Sequence, residues 1–422
     1  MLRLPTMPPT ALAGALPRGR LIETPPLPTC RMSVIVPARD EEETIGAALD
    51  ALARQLTLTG ERLDPRSYEV IVLANNCRDR TAAIARSIRE HHPELVLHVV
   101  EVTLPRAEAH AGSARAMLMD EAHARLRAAG CTRGIIASTD GDTRVAATWL
   151  AATLAEIERG ADAVGGRIIV DREELRRLGP GRASHLLDVG YRHLVAEIDA
   201  YLDPDPFDPW PRHYQHFGAS MAVTADAYAR CGGLPAEPVM EDVALYRALV
   251  RSDLRLRHSP SVRVTTSARR GGRVPVGLSS QLRQWSEWEC GGDQQLMPSA
   301  AEVIARARGR RNLREIHQAR AEGVSIPDRT VLDVARATRA DPEALLGLFH
   351  TGATSGALLH ATGPLEVCPP EALVPIRQAI TDLRVAVARL RTERASAGRD
   401  HASPGGSELV RANRSSRYVS RR

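Results

Sequence analysis

The chain has 422 residues, of which 43% are hydrophobic, 25% charged and 3% aromatic. That balance excludes collagen-like, wholly disordered and disulfide-scaffold classes, and at about 150 residues per domain it leaves room for two or three units. The formal charge is +5, yet all 56 basic residues are arginines with acidic residues mixed among them, so no basic stripe with interleaved aromatics marks a nucleic-acid surface.

Residues 1–30 hold seven prolines and lack the apolar run of a signal peptide, so they read as a disordered Pro-rich leader. No apolar run reaches the roughly 18 residues of a spanning helix, and no integral membrane span is expected. Six cysteines stand far apart without a CxxC pair, which fits free thiols in a reducing, cytoplasmic setting. Order begins at Arg31. Ser33 to Pro37 is a short β-rich run, and Asp40 to Glu43 is expected to supply the acidic first turn of a helix carrying Ile45, Leu49, Leu52 and Leu56. Tyr68 to Leu73 makes a second strand before a helix from Thr81 to about Glu90. Leu95 to Val102, the helix Gly112 to Ala129 and the strand Gly134 to Ser138 follow. Near-continuous apolar strands alternating with helices imply a mostly parallel sheet covered on both faces, an α/β sandwich of nucleotide-binding type.

Past residue 145 the rhythm changes. Trp149 to Arg159 reads as a helix, Ala163 to Val170 as a strand, Arg182 to Ala200 as a long helix and Asp203 to Pro211 as a loop. Phe217 to Val223 reads as a strand and Met240 to Ser252 as a helix. Beyond 296 the pattern predicts no strands, only helices over 299–322, 328–349 and 370–394. The expected divisions are therefore 1–30, a catalytic domain over 31–295, a helical region over 296–395 and a polar, basic tail over 396–422.

The most informative stretch is Ser138-Thr-Asp-Gly-Asp-Thr143. Two carboxylates leave the end of an apolar strand, where open α/β sheets bind ligands, with a glycine between them to turn the backbone. Oxygen donors there suit Mg²⁺ or Mn²⁺ shared with a diphosphate; the competing reading is a solvated Asp-Gly turn. Glu241-Asp242 opens a helix, where a carboxylate can serve as a general base or merely as a cap. The arginines of the Arg269-Arg270-Gly-Gly-Arg273 segment could grip phosphate bidentately. Trp285 and Trp288 share a helical face and read first as core. Leu383, Val387 and Leu390 form an apolar stripe, suited to packing on its own domain or to a homodimer contact.

Together these motifs resemble the family 2 glycosyltransferases of GT-A fold, in a stand-alone bacterial form without membrane spans. The resemblance runs from about Arg31 to about Trp288 on Val34-Ile-Val-Pro-Ala-Arg-Asp-Glu41, Val70-Ile-Val-Leu-Ala-Asn-Asn-Cys-Arg-Asp-Arg-Thr81, Asp140-Gly-Asp142, Gly218-Ala-Ser220 and Glu241-Asp242. It implies a GT-A nucleotide-diphospho-sugar transferase-like sandwich with an α-helical C-terminal region. Pro37, Arg39 and Glu41 would border the nucleotide of the donor, with Asn75 and Asp79 near base and ribose and Arg115 near the phosphates or base. Asp140 would touch ribose or sugar, Asp142 would bind a divalent cation with Asp140 beside it, and Arg269 and Arg270 would clamp the diphosphate. Asp242 would deprotonate the acceptor with Glu241 beside it, giving hexosyl transfer with inversion, the alternative being retention, since relatives of this fold include retaining enzymes. His213, His216, Gly218 and Ser220 would line the acceptor pocket for a small molecule or a lipid-linked or secondary metabolite.

Two features depart from the family pattern. Ala74-Asn75 stands where an acidic pair is common, and Val264 to Arg269 stands where many relatives carry a metal-binding histidine; His258 lies earlier. The rival readings are a nucleotidyltransferase, whose Gly-rich phosphate loop is missing after the first strand, and a binding or scaffold protein acting through the helical region. In that region Thr330 to Leu348 loosely suggests two helices around Asp341-Pro342.

Overall fold

The computed structural model describes residues 20–400 except 236, 270–276 and 293. Strands β1 (Met32–Ala38), β2 (Tyr68–Asn75), β3 (Leu97–Val102) and β4 (Ile135–Ser138) run parallel, with β1 between β2 and β4. Helices α1 (Ile45–Ala53), α2 (Thr81–His91) and α3 (Ala111–Ala128) connect them. Both faces of this half are covered, which is why β1 and β2 are apolar at nearly every position. Val34, Val36, Val70 and Val72 pack with Leu49 and Leu52 on one side. Ile35, Ile71 and Leu73 pack with Leu118 and Met119 on the other.

The second half is mixed. It comprises β5 (Thr143–Val145), α4 (Trp149–Glu158), β6 (Ala163–Val170), α5 (Arg172–Arg177), α6 (Arg182–Leu202), β7 (Met221–Thr224), α7 (Ala225–Arg230), α8 (Glu241–Arg251), β8 (Leu256–Thr266) and α9 (Leu278–Gly291). The sheet order is β3-β2-β1-β4-β7-β6-β8-β5. β7 is antiparallel to β4 and β6, β6 and β8 are parallel, and β5 is antiparallel to β8. Because Ser138 pairs with Met221, the turn Gly218–Ser220 lies at the edge where β4 ends. Because Thr143 pairs with Thr266, the segment after β8 lies beside the turn that follows β4. The sheet thus brings every candidate loop to one edge.

Several expectations need correcting. α1 starts at Ile45, so Asp40 to Glu43 form the turn before it and no acidic residue stands in its first turn. Asp40 sits at φ 52 there, which leaves Glu41 facing the cleft rather than the helix dipole. Residues 20–30, expected to be leader, pack on α3: Leu21 donates its N–H to Glu121 and Arg125 donates to the Thr24 carbonyl. Beyond 296, β9 (Leu296–Pro298) and β10 (Leu373–Pro375) form a small antiparallel ribbon. Helices α10 (Ala300–Ala321), α11 (Asp328–Thr338), α12 (Pro342–His350), α13 (Ser355–Ala361) and α14 (Ile376–Asp400) make up the rest. Leu383 and Val387 of α14 are buried with Tyr191 and Ile198 of α6, so the stripe packs on its own chain. Trp285 is likewise core. Among the described residues no helix is long and apolar enough to cross a membrane, and all six cysteines are free.

Beneath the sheet lies a buried ion pair that ties the β1–β2 pair to α3. Glu69 takes Arg125 through both of its oxygens and accepts the Ser33 hydroxyl. Burial alone would raise the Glu69 carboxyl, but hydrogen bonds from His98, Arg125 and Ser33 outweigh it and hold the group at about 2. A carboxyl held down in the folded state stabilises it above the unfolded carboxyl range and loses that contribution as pH falls toward 2. Glu69→Ala, which strands a buried guanidinium, should cost about 3–5 kcal/mol in urea unfolding at pH 7. The gap to wild type should narrow as the pH drops from about 4.5 to about 2, the window between its ordinary and folded values.

Candidate active site

At the common edge opens a cleft of about 2510 Å³. Its organising group is Arg115 of α3, whose side chain is 7% exposed. One face of α3 points under the ends of β4 and β7, and the guanidinium spans the gap. Nε donates to Glu241 at 2.9 Å, Nη2 to Asp140 at 3.0 Å, and Nη1 to Ser138 Oγ at 2.5 Å and the Gly218 carbonyl at 3.2 Å. Burial opposes the charge, but Asp140, Glu241 and Asp242 more than compensate and push its pKa up. Gly218 is required at this point: a Cβ there would lie 2.4 Å from the Arg115 guanidinium carbon.

Asp142 follows Asp140 across Gly141. Burial, reinforced by Asp140, pushes its carboxyl up to about 6, although Arg269 pulls the other way. The Arg269 guanidinium lies against Asp142 and Glu41. It holds both Glu41 oxygens at 2.7 Å, and its Nη2 stands 2.8 Å from Asp142 Oδ2. A buried aspartate whose charge is incompletely offset, beside a second aspartate on a turn at a strand end, is a donor set that suits a hard divalent cation. Asp140 and Asp142 therefore fit the expected Mg²⁺ or Mn²⁺.

Asp242 occupies the start of α8, after Met240 in the left-handed region. It accepts the Gly218 N–H at 2.7 Å and the Val243 N–H at 2.8 Å. Burial, then Glu241, raises its carboxyl above the ordinary range, which makes it the better proton acceptor. Next to Gly218, the His216 ring stacks on Tyr246 at 3.7 Å with planes 9° apart. Tyr246 is one helical turn beyond Asp242. His258 reaches His216 through Nε2 at 3.4 Å and Asp208 through Nδ1 at 2.8 Å. With both ring nitrogens engaged, His258 has none left for a cation at Asp142. His213 is pushed down to about 3 by burial and by His258, and its Nε2 meets the Ser259 carbonyl.

The structure brings Pro37, Arg39, Glu41, Asn75, Arg115, Asp140, Asp142 and Arg269 to one part of the cleft wall. It adds His213, His216, Gly218, Glu241 and Asp242 to the same cavity. Asp79 is used differently: it accepts from Thr81 and from the Glu42 N–H, clasping the starts of α1 and α2, and does not line the cleft. Ser220 is buried beneath the wall and accepts the Trp149 indole N–H at 3.0 Å. Arg270 lies outside the described residues. Sequence reading missed Ser138, Asp208 and Tyr246. The acidic, proline-rich loop 203–211 carried a signal for Asp208; Ser138 and Tyr246 looked like ordinary strand and helix residues. Among the described residues, one group of three metal-ligand types lies close together, Asp40, Cys77 and Asp79, half-buried. Asp40 and Asp79 already accept backbone N–H groups there.

Residues 33–221 match the family model described as Glycosyl transferase family 2. That segment, 189 of the 422 residues, carries the likeness to the family. The matched segment runs from β1 to the first residue of β7, so it contains Arg115, Asp140 and Asp142 and stops before Asp242 and Arg269. A mannosyltransferase from Pyrobaculum calidifontis, solved with GDP-Man and Mn²⁺, aligns over 91% of each chain at 19% identity and TM-score 0.38. S. aureus TarS 1-349 with UDP-GlcNAc aligns over 78% of this chain and 89% of its own at 15% identity and TM-score 0.40. Glucosyl-3-phosphoglycerate synthase from Mycobacterium tuberculosis, with Mn²⁺, UDP and phosphoglyceric acid, aligns over 64% of this chain and 83% of its own at 16% identity and TM-score 0.34. No curated protein matches the chain.

Gly218→Ala should push the Arg115 guanidinium off its carbonyl and carboxylate partners. Overpacking of this kind costs about 1–3 kcal/mol, to be read as a lower urea midpoint at unchanged slope. An unchanged midpoint would mean that the turn yields without cost.

Proposed function

We propose that this glycosyltransferase moves a hexose from a nucleotide-diphosphate sugar to a hydroxyl of an acceptor, with inversion at the anomeric carbon. The observation that carries this reading is the convergence on Arg115. A single buried guanidinium ties the carboxylate of the Asp140 turn to Glu241, next to the raised carboxylate of Asp242. Nucleotide and phosphates would lie along Pro37, Arg39, Glu41 and Asn75, with Asp140 toward ribose or sugar. Asp140 and Asp142 would hold Mg²⁺ or Mn²⁺, which when bound supplies positive charge against the diphosphate.

Asp242 is held by two backbone N–H groups, so its carboxylate has a fixed orientation. In this mechanism it takes the proton of the acceptor hydroxyl as that oxygen bonds to the anomeric carbon. The carbon–oxygen bond to the diphosphate breaks on the opposite face, and the diphosphate leaves with the electron pair. Glu241 does not compete for the proton, because Arg115 holds it. His216 and Tyr246 would form the floor on which the acceptor rests, with α10 and α13 closing the far wall of the same cleft. A small hydroxylated metabolite or a lipid-linked acceptor is the proposed class, and the enzyme would work in the cytoplasm. The family match over residues 33–221 favours glycosyl over nucleotidyl transfer and over a scaffold role.

Asp242→Asn should lower the transfer rate by about 10²–10⁴, the usual worth of a general base, while donor affinity by calorimetry stays near wild type. Equal losses in both would make Asp242 a structural cap instead. UDP, GDP, dTDP and ADP, each with and without Mn²⁺, should separate in a thermal-shift series, because a ligand of the folded state raises its apparent stability. One nucleotide should stabilise the wild type in a Mn²⁺-dependent way and leave Asp142→Ala unmoved. Silence from all of them on folded protein would overturn the donor assignment.

A further inference from the structure

Arg269 raises a question that the donor reading leaves open. The reading brings a cation to Asp142, yet a guanidinium already stands there. Its Nη2 is shared between Glu41 Oε1 at 2.7 Å and Asp142 Oδ2 at 2.8 Å, and its Nη1 takes Glu41 Oε2 at 2.7 Å. The side chain is 29% exposed, so the contact is neither a solvated surface pair nor a sealed core pair. A divalent ion on the Asp142 carboxylate would stand close to the Nη2 that faces Oδ2, with like charge against like charge.

The backbone at Arg269 is fixed while its arm is long. Glu174 Oε2 accepts both the Ser267 hydroxyl and the Ala268 N–H at 2.7 Å, and Ser267 Oγ accepts the Arg269 N–H at 3.2 Å. Exchange therefore needs only rotation of the side chain from an anchored root. When it leaves, Glu41 keeps the Thr44 hydroxyl at 2.9 Å, and Asp140 keeps Arg115. The planar fork that now grips Glu41 has the right shape to grip a phosphate.

We propose that Arg269 is a resident counter-cation which a divalent ion must displace from Asp142, and that the diphosphate of the donor takes up the displaced guanidinium. This rests on the proposed cation site and adds a consequence that the site alone does not have. Cation and nucleoside diphosphate bind cooperatively, because each removes an obstacle to the other, and the coupling is equal in both directions. A cation alone meets an occupied carboxylate; a diphosphate alone meets an engaged arginine.

The test is direct Mn²⁺ binding, read from the electron paramagnetic resonance of the free ion. It uses the full chain as wild type, Arg269→Gln, Arg269→Met and Asp142→Ala, each with and without UDP and with and without GDP. In the absence of nucleotide, both neutral Arg269 variants should bind Mn²⁺ about tenfold or more tighter than wild type, the worth of one charge-assisted hydrogen bond. The nucleotide that tightens Mn²⁺ on wild type should add little to the variants. Equal Mn²⁺ affinity in wild type and both neutral variants, with binding lost in Asp142→Ala, would overturn the displacement and leave the cation site standing. Binding that survives Asp142→Ala, or no binding in any protein even with nucleotide, would overturn the cation site itself.

Discussion

A buried guanidinium must be surrounded by acceptors or the fold cannot bear it, and the site is arranged around how Arg115 meets that demand. Its partners come from parts of the chain far apart in sequence: Ser138 and Asp140 after β4, the Gly218 carbonyl before β7, and Glu241 at the start of α8. None of these loops is held at its tip by regular backbone pairing. The arginine makes their mutual distances a condition of folding, so the candidate base and the candidate cation ligands are positioned before any substrate arrives. That is preorganisation achieved with one side chain. It also explains the glycine at 218, where any Cβ would occupy the arginine's own space.

The first half of the fold was legible because both faces of β1 and β2 are covered, so burial alone dictates their residues. Val34, Ile35 and Val36 can hardly be anything but a central strand. β8 hid itself for the opposite reason. It carries His258, Pro260 and Arg263 through a break in its pairing with β6 between Gly166 and Arg167, where the ladder skips and a proline costs nothing. The acidic run Asp40 to Glu43 misled for a related reason. Its composition fits a helix start, but Glu41 is drawn toward Arg269, a partner some two hundred residues away that local pattern cannot reveal. Among the candidate site residues, Asp140, Asp142 and Asp242 do line the cleft, a position that could be read from carboxylates at a strand end and a helix start. Asp79 and Ser220 were misjudged because a carboxylate or hydroxyl beside a motif serves equally well as a clasp, and here Thr81 and Trp149 claim them.

The helical region is part of the same body. α14 and α10 pack on α6, and α6 is also the wall on which the loop 203–217 rests. Arg310 and Arg314 of α10 hold Asp199 and Asp203 at the end of α6, where that loop begins. The loop then delivers Asp208 to His258 and His216 to Tyr246. The side of the cleft proposed for the acceptor is therefore shaped by helices that lie outside the matched family segment. On the proposed reading this is the part expected to vary with the acceptor, since the proposed donor side is built from the sheet edge and the rest from what is laid across it.

Arg115 and Arg269, both at the cleft, differ in a way that bears on the proposed mechanism. Arg115 is sealed, and every one of its partners is a fixed part of the protein, so moving it would strand Glu241 and Asp140 together. Arg269 is half-exposed on a long arm, and its partners are carboxylates that can accept another cation in its place. Asp140, Asp142, Glu41, Glu241 and Asp242 all line this cleft, and such a concentration of like charge calls for positive charge close by. Arg115 neutralises the part that must never open. In the proposed exchange Arg269 neutralises the part that opens to a donor, and a guanidinium on a long side chain can do so without leaving the protein.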